Sequence, residues 1–123
     1  MEVVLVVGLG GAAGAILRWQ VGVFMSQLLA PAFWGTFMVN LVGSFLVGLL
    51  LIWFQEKLPI SDVWRSGILV GLLGGFTTYS AFSMEAVNMM MAGFYGRAIT
   101  YVTATVALCL MGTWVGVMLG RSA

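Results

Sequence analysis

The stretch Gly71-Leu-Leu-Gly-Gly-Phe-Thr-Thr-Tyr-Ser-Ala-Phe-Ser-Met-Glu85 decides how this chain is built. It places two adjacent glycines and five hydroxyl-bearing side chains near the middle of a long apolar run. Glycine weakens a helix, and a broken helix at membrane depth is tolerated only where it is buried in protein or lines a wet cavity. We therefore predict a broken helix in this segment, where Gly74 and Gly75 weaken the helix and the hydroxyl cluster follows. The alternative is a continuous helix whose Ser and Thr side chains bond back to their own turn.

The composition places most of the chain in lipid. Of its 123 residues, 62% are hydrophobic and 7% are charged, whereas a soluble domain is charged at roughly a quarter of its residues. The net charge of +1 gives no reason to expect a nucleic acid as partner. With no His and four carboxylates, the chain lacks the usual groups for hydrolysis or transition-metal chemistry, and we expect no enzyme.

Charged and turn residues divide the chain into four apolar stretches, at residues 3–29, 33–54, 64–91 and 94–119. Each exceeds the roughly 20 residues that cross the hydrocarbon layer as a helix. No Lys or Arg precedes the first stretch, so we expect a retained helix and not a signal peptide. The sequence predicts an all-α membrane protein in which residues 1–123 form a single domain. Its four transmembrane helices include a broken third one.

The basic residues are divided almost evenly between the two sides of the membrane. With four spans, Lys57, Arg65 and Arg121 fall on one side, and Arg97 lies on the other with Arg18 leaning towards it. Because orientation follows the Lys and Arg excess in short loops, this balance predicts insertion both ways up. A chain that inserts both ways can pair with itself antiparallel about a two-fold axis.

Small residues recur at four-residue spacing on two of the spans. Such faces let helix backbones approach closely in lipid, either within one chain or between two chains. We expect a dimer, because four helices around their own axis enclose little room for a pathway. The two ladders are Gly67, Gly71 and Gly75, and Gly112, Gly116 and Gly120.

Polar and aromatic side chains inside the spans outline a candidate anion path. Asn40 is a lone amide deep in the second span, suited either to an anion or to a bond between helices. Tyr79 and Phe82 share a helix face, where their electropositive ring edges suit an anion; core packing is the alternative. A mildly polar stripe recurs every four residues in the fourth span, at Tyr101, Thr105 and Cys109.

Two charges lie within the apolar spans. A charge at the position of Arg18 is costly enough to suggest a function. It either snorkels to the interface or draws anions towards a vestibule. Glu85 follows the hydroxyl cluster and is either protonated or paired with a donor that the sequence does not identify.

Three segments resemble motifs of the Fluc/CrcB-type fluoride channels. Residues 10–19 (GGAAGAILRW) resemble the opening motif, residues 34–44 (WGTFMVNLVGS) the second-helix motif, and residues 71–85 the broken third helix. Together they span essentially the whole chain. The resemblance implies a fluoride-selective channel that passively exports fluoride across a bacterial inner membrane. It also implies a dual-topology, antiparallel homodimer with two pores.

The resemblance further implies roles for individual residues. Gly74 and Thr77 would offer backbone carbonyls to a structural sodium ion at the dimer interface, and Arg18 and Glu85 fall on charged positions of the family. Tyr79 departs from the family, which commonly has Phe at this position. The fluoride path would be lined by Asn40, Tyr79 and Phe82, with Thr36, Ser83, Tyr101 and Thr105 as weaker candidates.

Two other functions suit a four-helix membrane chain of this length. A small proton-coupled multidrug exporter depends on a carboxylate inside its first helix, whereas Arg18 is the charge within the first span here. A non-transporting assembly subunit would carry no flux without its partners. From the residues alone we predict a polar, anion-compatible path in a membrane dimer. The choice of fluoride over chloride rests on the resemblance.

Overall fold

The computed structural model describes residues 1–122, which are helical apart from short connections and contain no strand. Four helical spans are long and apolar enough to cross a membrane: Glu2–Leu28, Phe33–Glu56, Asp62–Met91 and Tyr95–Ser122. The predicted all-α architecture of four long apolar helices is therefore confirmed. We call the first, second and fourth spans α1, α2 and α6, because the third consists of several pieces.

The third span begins with α3 (Asp62–Ser66), continues as a π-helical stretch (Gly67–Leu73) and a short α4 (Gly74–Phe76), and ends with α5 (Ser80–Met91). Residues 77–79 between α4 and α5 are not helical. The structure is therefore consistent with the predicted broken third helix, and the interruption follows the two glycines. Both glycines remain helical, and the backbone becomes extended only at Thr77, where φ is −90° and ψ is 163°.

Close packing explains the glycine at position 75. A Cβ atom there would lie 2.6 Å from the carbonyl oxygen of Gly11, so no larger residue fits between α4 and α1. The same holds at Gly71, whose Cβ would lie 2.6 Å from the carbonyl oxygen of Val7. These glycines therefore serve helix contact and not helix breaking.

Side chains and one turn define the ends of the third span. The Ser61 hydroxyl accepts the backbone N–H of Trp64 at 3.5 Å and caps α3. Beyond the break, the Thr78 hydroxyl accepts the N–H of Ala81 at 3.2 Å at the start of α5. Gly93 has a φ of +86° between α5 and α6, a left-handed conformation that glycine adopts without steric cost.

Helix α1 packs against the third span, and α2 packs against α6. The glycine ladder of α6 faces α2: a Cβ at Gly116 would lie 2.8 Å from the backbone nitrogen of Leu49, and one at Gly120 would lie 3.0 Å from its carbonyl oxygen. Both predicted ladders therefore serve packing within the chain. The expectation of a dimer has to rest on other features.

The buried core is small and lies where α2, α5 and α6 meet. Its buried members are Phe82, Ala86 and Tyr101, with Phe33 and Phe37 packed against them. Most other large apolar side chains are exposed on the outside of the bundle. An apolar exterior of this kind matches lipid as the surrounding solvent.

Candidate functional site

The break in the third span is held by the side chain of Asn40 on α2. Its amide nitrogen donates to the carbonyl oxygen of Thr78 at 2.8 Å, and its amide oxygen accepts the backbone N–H of Thr78 at 2.8 Å. Both main-chain groups that Thr78 loses from the helix are thereby satisfied. The amide still has a second N–H and a second lone pair. Of the two interpretations that the sequence left open for Asn40, the structure shows the bond between helices.

Arg18 of α1 holds the break from the other side. Its Nε donates to the carbonyl oxygen of Gly75 at 3.1 Å. In a continuous α-helix that oxygen would accept the N–H of Tyr79, so the guanidinium replaces a bond that the break removes. Arg18 also lines a cavity of about 370 Å³ together with Thr36 and Glu85. The residue therefore combines a structural bond with a position in the wall of this cavity.

Glu85 joins three helices through its carboxyl group. Thr36 of α2 donates its hydroxyl to Oε2 at 2.9 Å, and Tyr101 of α6 donates to Oε1 at 2.8 Å. Sequence analysis did not identify these partners because no spacing rule links the three positions. A signal did exist. Thr36 and Tyr101 lie three and six residues after the starts of α2 and α6, and Glu85 lies six residues before the end of the third span, so the three residues lie at similar membrane depth.

Aromatic rings run from the break into the core. The ring centroids of Tyr79 and Phe82 are 5.7 Å apart at an interplanar angle of 77°, an edge-to-face arrangement. Phe82 continues to Tyr101, with centroids 5.3 Å apart. Tyr79 is 79% exposed, whereas Phe82 is 7% exposed and belongs to the core. Core packing thus accounts for Phe82, and the two rings also present edges beside the break.

An open groove of about 440 Å³ brings the candidate residues of three spans to one face. Thr105 also lines it, and its hydroxyl is buried without a hydrogen-bond partner among residues 1–122. Ser83 is half-buried on α5 and lies outside this lining. The groove is lined by, among others, Asn40, Gly74, Thr77, Thr78, Tyr79, Phe82, Thr105 and Cys109.

A metal ion in this groove would depend on backbone oxygens. In the described part of the chain, no cluster of three or more His, Cys, Asp or Glu side chains is placed to hold one. Gly74 and Thr77 both line the groove, and within residues 1–122 no hydrogen bond reaches their carbonyl oxygens. The Thr77 hydroxyl donates to the carbonyl of Leu73 at 3.1 Å. Carbonyls freed at a broken helix suit a hard monovalent cation.

Fold and site together define a membrane protein of four spans whose third helix is broken beside polar side chains and a ring-edge pair. The family model described as CrcB-like protein, Camphor Resistance (CrcB), matches residues 5–117. The chain therefore belongs to the CrcB-like family.

Curated relatives match over nearly their whole length. A protein of Rhizobium meliloti is 41% identical over 123 residues, covering 99% of this chain and 98% of its own. One of Coxiella burnetii is 44% identical, covering 96% of this chain and 97% of its own. One of Magnetococcus marinus is 40% identical, covering 94% of each chain. All three are named fluoride-specific ion channel FluC.

Proposed function

We propose that this chain is the subunit of a fluoride-selective channel through which fluoride leaves a bacterial cell passively across the inner membrane. The names of the three relatives support the choice of ion. The observation that carries the proposal is the groove beside the broken helix, where Asn40, an aromatic edge pair and an unpartnered hydroxyl converge.

Fluoride exchanges its hydration shell for these groups in stages. The remaining N–H of Asn40 and the Thr105 hydroxyl donate hydrogen bonds, and the edges of Tyr79 and Phe82 offer weaker positive potential. A pathway conducts when binding is favourable enough for entry and weak enough for release. Several weak sites in series meet that condition better than one strong site.

A second copy of the chain covers the groove. Thr77, Thr78 and Tyr79 leave irregular backbone on an open face, and such backbone is not tolerated against lipid. The balance of basic residues between the two ends of the bundle favours an antiparallel arrangement. The pathway then runs between the two subunits, each of which supplies one groove.

A sodium ion fits between the paired copies. The carbonyls of Gly74 and Thr77, with the same pair from the second copy, would form an oxygen cage for a hard monovalent cation. When bound, the ion supplies a fixed positive charge that ties the two broken helices together. Replacing sodium by a large organic cation is expected to lower the thermal stability of the purified dimer. An unchanged unfolding temperature, with sodium content verified as absent, contradicts this assignment.

Fluoride efflux from liposomes containing the purified protein tests the channel function, with chloride efflux measured in parallel. Fast fluoride release with little chloride release is expected. Phe82→Ile is expected to abolish the fluoride release, whereas Phe24→Ile, a matched change at a 58% exposed ring on α1, should leave it unchanged. Release of neither ion from folded wild-type protein overturns the proposal.

A further inference from the structure

The polar stripe of α6 extends one turn further than the hydroxyl residues. Arg97 precedes Tyr101 by four residues, as Tyr101 precedes Thr105, so the three side chains lie along one face of the helix. Arg97 is exposed near the start of α6, whereas Tyr101 and Thr105 are buried. The stripe therefore leads from a cation at the end of the bundle to the interior.

Two cavities meet at Arg97. One, of about 270 Å³, is lined by Arg97, Asn88 and Glu85. The other, of about 580 Å³, is lined by Arg97, Tyr101 and Thr105. Thr105 is part of the lining of the second cavity, and its hydroxyl is buried and unpartnered in the described chain. A buried hydroxyl without a partner is costly, so this one is available to an anion that arrives along the stripe.

The charge of Arg97 is not neutralised by a neighbouring carboxylate. Within residues 1–122 the ion pair joins Arg65 to Asp62, at the opposite end of the bundle. The guanidinium carbon of Arg97 lies 5.0 Å from the centre of the Phe94 ring, an arrangement in which the ring attracts the cation but does not neutralise it. A cation in the first turn of a helix opposes the helix dipole. Helix stability therefore gives no reason for Arg97 at this position.

We propose that Arg97 is a capture residue of the anion pathway. It raises the local concentration of fluoride where the polar stripe begins. The proposal rests on the proposed channel function, and it assigns to a residue outside the broken-helix groove a role in anion entry.

The test compares the wild-type protein with Arg97→Gln at low and high ionic strength. Single-channel fluoride current is recorded at a fixed low fluoride concentration, first alone and then with sodium gluconate at about 1 M. At low ionic strength Arg97→Gln is expected to lower the current about threefold, since a unit charge about 7 Å away in water attracts an ion by about RT. At about 1 M salt the screening length falls to about 3 Å, and the difference should disappear.

Two further variants separate an electrostatic role from a structural one. Arg97→Lys keeps the charge and should retain the wild-type current at both ionic strengths. Arg121→Gln, at the opposite end of α6, is the matched control and should change little, because the bond there uses its main-chain carbonyl, which accepts from Lys57.

The outcomes distinguish the capture role from the channel function. A current lowered equally at both ionic strengths, or an unchanged current at low ionic strength, overturns the role of Arg97 while the channel function stands. A folded wild-type protein without any fluoride current overturns the channel function and this inference with it.

Discussion

Replacement of Asn40 by Ala tests whether the broken helix depends on one side chain. The variant removes two hydrogen bonds of 2.8 Å and leaves both the N–H and the carbonyl of Thr78 without a protein partner. Each bond contributes about 1 kcal/mol net, and a buried donor left unsatisfied costs about 1–3 kcal/mol. Because the groove is open, water replaces part of what is lost. We expect the free energy of unfolding to fall by about 2–4 kcal/mol, the two bonds giving the lower limit.

Two measurements test the effect of Asn40→Ala on stability and on the break. Titration with sodium dodecyl sulfate in mixed micelles gives the free energy of unfolding, and hydrogen exchange reports protection of the Thr78 amide. Gln55→Ala, which removes an exposed amide from the same helix, is the control and should shift stability by less than about 0.5 kcal/mol. If Asn40→Ala matches this control and the Thr78 amide stays protected, Asn40 does not hold the break.

Three further predictions concern packing, a buried hydroxyl and the carboxyl group. Gly14→Ala should destabilise the protein by about 1–3 kcal/mol, because its Cβ would lie 2.8 Å from a backbone nitrogen of the third span. The control Gly8→Ala has no atom within 4 Å of its Cβ and should be neutral or stabilising. Equal effects of the two variants in the detergent titration would refute this prediction. Thr105→Val should raise the free energy of unfolding by about 1 kcal/mol, because it removes an unpartnered buried hydroxyl. The same variant should slow fluoride efflux, and unchanged efflux would exclude this hydroxyl from the fluoride path. Tyr101→Phe removes a donor from Glu85 and should cost about 1–2 kcal/mol, and a stability equal to wild type would count against that bond.

The four spans were predictable because span length and apolar composition are local properties of the sequence. The presence of a break was predictable for the same reason, since glycines and hydroxyl residues cluster between positions 74 and 83. The individual residues at the break were not predictable, because glycine occurs in a helix either where the helix is interrupted or where another helix packs closely. Gly75 is required by the close approach of Gly11, and the break falls at residues 77–79, where Asn40 of α2 bonds the main chain of Thr78.

Contacts between spans were the part that the sequence left undetermined. Asn40 and Arg18 were each assigned two alternatives, because the acceptors on Thr78 and Gly75 are main-chain atoms that carry no sequence signal. The partners of Glu85 come from α2 and α6, far away along the chain. The positions of Thr36, Glu85 and Tyr101 relative to the helix ends place them at similar membrane depth, which is the sequence property that links them.

The number of residues in the π-helical stretch at residues 67–73 sets the direction in which the break of the third span faces. Its turns are wider than the 3.6 residues of an α-helix, so glycines four residues apart drift less around the axis and form a straighter row against α1. Deletion of one residue here would allow ordinary α-helical turns. It would also swing everything beyond it by about 100° around the helix axis. An insertion or deletion in this segment therefore rotates the break and α5 around the helix axis. We expect the length of the segment to vary less among relatives than its side chains do.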